Sequence, residues 1–192
     1  MNTESFRPMI EILLDNGIAE DRAQEFARSL RNRRFPPKHV IFSEGDQLPP
    51  VVFVLSGYVR LLVTNEDGDI STRYITGSGN FAGCIQATLY NDASCYTCES
   101  IGDCEVILID QLLIREARKK DATLMMMQDI IIRRLIEMMQ EKALMLPLKA
   151  TDRYLFFRER YPKIVKEIPD GIVANYIGVR PQSLSRIKNT LK

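Results

Sequence analysis

Apolar and polar positions follow different periods in successive parts of the 192-residue chain. Residues 6–34 have helical spacing in two short apolar sets, and Pro36-Pro37 stops that pattern. Between residues 39 and 110, apolar runs of strand length alternate with turn sequences such as Glu66-Asp67-Gly68-Asp69. The runs predict strands at His39–Phe42, Val51–Leu55, Tyr58–Thr64, Ile70–Ile75, Ser94–Ser100 and Cys104–Asp110. Short strands at regular intervals predict an antiparallel sandwich or jelly roll.

Helical spacing returns after Leu112 and lasts until Pro147, with Asp121 as a helix cap. One apolar seam contains Leu124, Met127, Ile131, Leu135, Met138 and Met145. The seam approximates the heptad of a coiled coil, so we expect a homodimer whose interface contains Leu124, Met127, Ile131, Leu135 and Met138. The seam would equally suit packing on the strands. A second apolar set off the seam allows one face for the strands and another for a second subunit: Met125, Met126, Ile130, Ile132, Ile136 and Met139.

The last two dozen residues, from Ile168 to Leu191, predict two short helices bent around Gly178. Gly178 falls where a tight turn needs a positive φ, and Pro181 falls at the first position of the second helix. One face of that helix is apolar, and polar or basic side chains cover the rest: Arg180, Gln182, Ser183, Ser185, Arg186 and Lys188. This pattern is typical of a helix-turn-helix. On spacing alone, an ordinary pair of antiparallel helices closing a small core explains it equally well.

Charge is distributed unevenly along the chain, although the formal net charge is only +1. Residues 147–192 contain ten Lys/Arg against four Asp/Glu, whereas the other residues contain sixteen against twenty-one. A basic C-terminal module favours contact with phosphates. The earlier basic run from Arg28 to Arg34 is most simply a solvated helix end.

No apolar run is long enough for a membrane span, and Met1-Asn2-Thr3-Glu4 does not open a signal peptide. We therefore expect a cytoplasmic protein that makes no membrane contact. Its four cysteines are then expected to be thiols.

A roll, a long helix and a basic helix pair, in that order, resemble the catabolite-activator/fumarate–nitrate regulator (CRP/FNR) family of transcription factors. The motifs that carry the resemblance are Val40–Asp46, Val52–Leu61, Asn65–Gly68, Gly79–Gly83, Cys104–Val106 and Ile177–Ile187. The resemblance implies an α+β fold with a cyclic-nucleotide-binding-like β-roll sensor over 1–115, a dimerisation helix over 116–146 and a DNA-binding domain over 147–192. The family usually adds a β-hairpin wing after the recognition helix. This sequence stops at Lys192, so we expect a winged-helix-like domain without its wing.

The resemblance also implies an effector pocket, for which the corresponding residues are Phe81, Gly83, Cys84, Ile85, Ser94, Cys95, Leu135 and Met139. Family members that bind cyclic nucleotides carry a Gly-Glu pair for the ribose and an Arg-Ser pair for the phosphate. Here Gly83 is followed by Cys84, and Ser94-Cys95 stands where Arg-Ser would be. A phosphate buried without a cation would be poorly compensated. We predict that the protein does not bind cyclic AMP in the usual way. Arg60 and Arg73 are the nearby basic side chains, but nothing in the spacing requires either of them to reach the phosphate position.

The four cysteines lie at positions 84, 95, 98 and 104. The spacing Cys95-x₂-Cys98-x₅-Cys104 is similar to that of iron–sulfur sensors in the same family, but those carry it in an N-terminal extension. We favour core packing, with thiol redox sensing and a cluster or zinc as alternatives, and we expect no cofactor or metal. No pattern of catalytic residues is present, so an enzyme is not expected.

Together these features predict a homodimeric transcription regulator that binds double-stranded DNA at an inverted repeat. We assign Arg186 to a guanine and Gln182 to an adenine. The remaining DNA-binding residues would position the backbone: Arg180, Ser183, Ser185 and Lys188. RNA polymerase and a small-molecule effector are the further partners that this interpretation implies. The alternative is a thiol-redox or small-molecule sensor whose helix-turn-helix acts mainly in protein association.

Overall fold

The computed structural model describes residues 6–112 and 122–191, with side chains from residue 125 onward in the long helix. Two N-terminal helices, α1 (Arg7–Asp15) and α2 (Glu20–Ser29), precede the strands. The strands are β1 (Asn32–Phe35), β2 (Val40–Phe42), β3 (Val51–Ser56), β4 (Tyr58–Thr64), β5 (Ile70–Gly77), β6 (Phe81–Ala82), β7 (Thr97–Ser100) and β8 (Cys104–Ile109), with helix α3 (Ile85–Tyr90) between β6 and β7. The later helices are α4 (Ala122–Met145), α5 (Ala150–Arg160), α6 (Ile164–Glu167), α7 (Asp170–Ile177) and α8 (Pro181–Thr190).

The strands form two four-stranded antiparallel sheets, in the orders β1-β8-β3-β6 and β2-β7-β4-β5. Alternate residues of β3 face opposite sides of the first sheet, as the pleat requires. Val52 and Val54 meet the second sheet inside the roll, whereas Val51 and Phe53 belong to a separate cluster with the helices. The predicted antiparallel roll with C-terminal helices is confirmed.

Three stretches of the roll differ from the sequence prediction: helix α3 was not predicted, β7 begins at Thr97 rather than at Ser94, and the Arg28–Arg34 run is not all helix. Helix α2 ends at Ser29, and Asn32–Phe35 pairs with β8 instead of continuing the helix. The interpretation of the Arg28–Arg34 run as a helix end is therefore wrong for its second half. Arg34 Nε lies 3.1 Å from a carboxylate oxygen of Glu105 on β8, so the neighbouring strand compensates this charge.

Helix α4 packs on the roll through the seam that the sequence assigned to a dimer interface. Met127, Ile131 and Leu135 are at most 3 % exposed and join the cluster that contains Phe53 and Phe81. Met138 is partly buried against the same cluster. Because Met127, Ile131 and Leu135 are covered by their own chain, the seam packs on the roll, which is the alternative that the sequence left open. The side chain of Leu124 lies outside the described residues.

A second apolar stripe runs along α4 beside the buried seam. Met125 and Ile136 are exposed, Ile132 is partly exposed, and Met139 is partly buried against the roll interior. With Asp129 and Ala143 these residues follow the alternating steps of four and three that define a heptad. Nothing in the described part of one chain covers this stripe fully.

The C-terminal helices form their own core and pack against the second sheet. Leu184, Val173 and Phe157 are buried in a cluster that also contains Ile75 of β5 and Met145 of α4. The amide of Asn175 fastens α7 to β5: its Oδ1 accepts from the Thr72 N–H at 2.5 Å, and its Nδ2 donates to the Ile70 carbonyl at 2.8 Å. The C-terminal module is thus positioned by the roll. Among the described residues, no helix has the length and apolar character that crossing a membrane would require.

Candidate nucleic-acid interface and effector region

The two helices predicted around Gly178 are present, as α7 and α8. Gly178 adopts φ +69°, and its N–H donates to the Asn175 carbonyl. The Val179 N–H donates back to Ala174 at 2.9 Å, which closes the end of α7 as a left-handed cap requires. Pro181 opens α8 at its first position. The turn therefore forms for the local reasons that the sequence indicated.

Helix α8 presents a polar face to solvent because its apolar face is anchored. Leu184 is fully buried, and Ile187 and Leu191 pack partly against the same cluster. The predicted DNA-binding residues Gln182, Ser185, Arg186 and Arg180 are exposed, whereas Ser183 and Lys188 lie at the flanks with intermediate exposure. The arrangement is sterically suited to enter a groove of a duplex.

Two basic side chains on this helix differ in their contacts. Lys188 forms an ion pair with Asp170 at the start of α7. Within the described part of the chain, the Arg186 guanidinium makes no hydrogen bond or ion pair, so it is available to a ligand. This difference favours Arg186 over Lys188 for direct base contact.

A lysine connects the long helix to the C-terminal module. The Lys142 ammonium donates to the Tyr176 carbonyl and lies 3.8 Å from the centroid of the Tyr176 ring. Burial, followed by the charges of Arg73 and Arg153, lowers the pKa of Lys142 to about 8. The protonation of Lys142 therefore depends on how closely α4 and α7 pack around it.

The lowered pKa of Lys142 predicts that the free energy of unfolding depends on pH. Between pH 8 and about 10.5, Lys142 is largely neutral in the folded protein and still charged when unfolded, so raising the pH relieves the burial of charge. The free energy of unfolding of the wild type, relative to that of Lys142→Met, should rise across this interval. Urea titrations of both proteins at several pH values measure the difference. A difference independent of pH would contradict the assignment.

The residues of the predicted effector pocket lie in two neighbouring groups. Phe81 and Leu135 are buried in one cluster, with Ile85 packed against it, and a Leu135 methyl lies 3.7 Å from where a Cβ on Gly83 would be. The Ser94 hydroxyl donates to the Tyr96 carbonyl at 2.7 Å, beside Cys84 and Cys95. Met139 is not part of the Leu135 cluster and packs instead toward the roll interior. The structure thus places Phe81, Gly83, Ile85 and Leu135 at one apolar cluster, with Cys84, Ser94 and Cys95 beside it and Met139 apart.

Arg60 and Arg73, the two basic residues considered for a phosphate, have their contacts elsewhere. Arg60 lies on β4 and forms an ion pair with Glu99 at 2.7 Å, and it also donates to the Thr72 hydroxyl. Arg73 is exposed on β5, and its charge lowers the pKa of Lys142. The sequence has no Lys or Arg between Arg73 and Arg115, a stretch that includes the whole loop from β6 to β7.

Sequence reasoning missed a cavity of about 470 Å³ between the roll, α4 and the C-terminal module. Its apolar wall includes Tyr58, Phe81, Met138 and Tyr161. Among the lining residues, Arg160 and Tyr161 both donate hydrogen bonds to the Glu141 carboxylate. The distance from Arg160 Nη2 to Glu141 Oε1 is 2.5 Å. The lining comes from three separate parts of the chain, so no local motif could have indicated it. Its volume suits a small molecule.

The cysteines separate into two pairs. Cys98 and Cys104 are buried inside the roll, where they fill core positions as the sequence favoured. Cys84 and Cys95 lie outside that core, with their sulfur atoms 3.2 Å apart. Among the described residues, no group of three His, Cys, Asp or Glu side chains is arranged to hold a metal ion.

Comparison with known proteins agrees with this architecture. Residues 32–121 match the family model of the cyclic nucleotide-binding domain. FixK2 from Bradyrhizobium japonicum is similar in structure, with a TM-score of 0.73 at 16% identity over 84% of each chain. The c-di-GMP responsive global regulator CLP from Xanthomonas campestris has a TM-score of 0.65 at 19% identity, over 90% of this chain and 91% of that one.

A transcriptional regulator of the CRP family from Thermus thermophilus is also similar, with a TM-score of 0.61 at 19% identity over 83% of each chain. No curated protein matches the sequence. The chain therefore contains a cyclic nucleotide-binding domain within a fold shared with transcription regulators. That fold is the one that the resemblance to the CRP/FNR family implied.

Proposed function

We propose that the protein is a homodimeric transcription regulator that binds an inverted-repeat operator through α8. The observation that carries the proposal is the exposed polar face of α8, which Leu184 anchors on a basic module. Major-groove readers place such a helix against base edges while flanking residues hold the phosphates. In this proposal Arg186 and Gln182 read bases, whereas Arg180, Ser183, Ser185 and Lys188 position the backbone. Such a protein acts where DNA is, in the cytoplasm, and works with RNA polymerase.

The dimer is proposed to form through the exposed heptad stripe of α4 rather than through its buried seam. Two copies of the stripe would pair Met125, Ile132 and Ile136 with one another and bury apolar area now open to water. The two copies of Asp129 would bring like charges together within the stripe, which would lower the stability of the dimer. Since the other face of the same helix packs on the roll, a change in the roll can move the partner helix.

Selection of genomic fragments tests this function. Purified protein is mixed with sheared genomic DNA from its source, and the bound fragments are recovered and sequenced. We expect enrichment of fragments that share an inverted repeat. Absence of enrichment, with folded protein, would support the alternative in which the helix pair acts in protein association.

The proposal also predicts that cyclic AMP does not bind at micromolar concentration. The loop from β6 to β7 has no basic residue, and Arg60 is already paired with Glu99. A buried phosphate there would keep its charge uncompensated, which is strongly unfavourable. Isothermal titration calorimetry of the full chain should show no saturable heat, and a micromolar Kd would contradict the prediction.

A further inference from the structure

We infer that Cys84 and Cys95 form a dithiol site that closes reversibly to an intramolecular disulfide. Their Sγ atoms lie 3.2 Å apart, although eleven positions separate the residues in sequence. Cys84 caps the start of α3 and Cys95 precedes β7, so the pair joins the two ends of the loop that contains α3. A disulfide needs a sulfur separation of about 2.05 Å. The two ends must therefore approach by only about one ångström.

The surroundings of the pair suit a disulfide better than a metal. The Gln86 side-chain oxygen lies 3.6 Å from each sulfur. This oxygen is a neutral hydrogen-bond acceptor for both thiols. Among the described residues there is no third ligand of the kind that soft metals require. Cys95 is partly exposed, whereas Cys84 is buried behind it, so a reagent from solvent reaches one sulfur first.

The chemistry is thiol–disulfide exchange with a low-molecular-weight disulfide such as oxidised glutathione. The Cys95 thiolate attacks one sulfur of that disulfide, and one glutathione thiolate leaves with a mixed disulfide formed at Cys95. Cys84 then attacks the Cys95 sulfur, and the second glutathione leaves. The two protein thiols are oxidised, one glutathione disulfide is reduced to two thiols, and the two protons from the cysteines pass to them.

Exchange should be slow at neutral pH. Burial, followed by the hydrogen bond with Cys84, raises the pKa of Cys95 to about 11, which keeps the thiol protonated. The site is therefore defined by its equilibrium with a redox buffer rather than by fast reaction with an oxidant.

The bond would act on the long helix through α3. Ile85, next to Cys84, packs on the cluster that contains Leu135 of α4. Locking the loop would fix this contact, and any resulting change in DNA affinity rests on the proposed function. Formation of the bond itself does not, so the two can fail separately.

The test equilibrates the full chain in glutathione buffers of increasing oxidised fraction, followed by acid quenching and alkylation of free thiols. A protease that cleaves before Asp69, Asp92, Asp103 and Asp110 places Cys84 in fragment 69–91, Cys95 and Cys98 together in fragment 92–102, and Cys104 in fragment 103–109. A second digestion with chymotrypsin, which cleaves after Tyr96, separates Cys95 from Cys98. We expect fragments 69–91 and 92–102 to become joined while two of the four thiols disappear together. Cys98→Ala should retain the link, whereas Cys84→Ser and Cys95→Ser should each abolish it.

Three results would overturn the inference. One is a glutathione adduct on Cys95 that does not proceed to the internal bond. Another is a link that involves Cys98 or Cys104, which are buried in the folded protein. The third is retention of all four thiols in buffers that oxidise the same chain in urea. The wild-type fragment map after cleavage at Tyr96 decides among these even if a cysteine variant fails to fold.

Discussion

Replacing Arg186 with alanine should lower the affinity for the selected DNA site by about 5- to 150-fold, equivalent to about 1–3 kcal/mol. The same change should lower affinity for unrelated DNA much less. The physical reason is that an arginine fork makes two hydrogen bonds with one guanine, whereas a phosphate contact is the same on every sequence. In the folded chain this guanidinium is exposed on the polar face of α8 and has no partner among the described residues.

Arg158→Ala is the matched control for that experiment. It removes the same charge from the same basic module, at an exposed position on α5, outside the proposed recognition helix. Fluorescence anisotropy with specific and scrambled duplexes at one salt concentration measures both variants. We expect Arg158→Ala to have a small effect on both duplexes. Equal losses on both duplexes for Arg186→Ala would instead make Arg186 a phosphate contact.

Replacing Ile136 with aspartate should convert the dimer into monomers. Ile136 is 39% exposed in the single chain and lies in the middle of the heptad stripe. In a symmetric pair, the new carboxylate would meet its own copy in a desolvated interface, which costs several kcal/mol. We expect the dissociation constant of the dimer to rise at least about a hundredfold. Sedimentation equilibrium measures it directly, and affinity for the inverted repeat should fall in parallel.

Leu144→Asp provides the control on the same helix. Leu144 is 65% exposed, yet it lies outside the stripe formed by Ile132, Ile136 and Met139. A charge there should leave the dimer intact. An unchanged dimer in Ile136→Asp would show that the stripe is not the interface, whereas dissociation in both variants would point to general destabilisation of α4.

Local signals in the sequence predicted the parts of the fold that depend on neighbouring residues. Gly178 and Pro181 define the turn and the start of α8 because backbone preferences act within a few residues. Apolar runs of strand length between turn sequences likewise predicted β3 and β4. Asn32–Phe35 was missed because its exposed arginines look like a helix end, and only pairing with β8 makes it a strand.

Features that depend on distant contacts could not be read from spacing. Helix α4 has two apolar sets, and periodicity does not say which one meets the roll, so the sequence left open whether Leu135 packs on the strands or on a second subunit. Cys84 precedes α3 and Cys95 precedes β7, so the contact between their sulfur atoms depends on how the loop between them folds and not on a local spacing. The cavity beside Tyr161 combines three parts of the chain and leaves no trace in any one of them.

The most direct test of a dimer that reads DNA uses the spacing of its half-sites. The affinity for the selected inverted repeat is compared with that for the same repeat carrying about five additional base pairs at its centre, which turns one half-site to the opposite side of the duplex. Two recognition helices held by one coiled stripe cannot then reach both major grooves. We predict that the lengthened repeat binds no better than a single half-site, whereas equal affinity for the two repeats would contradict the account.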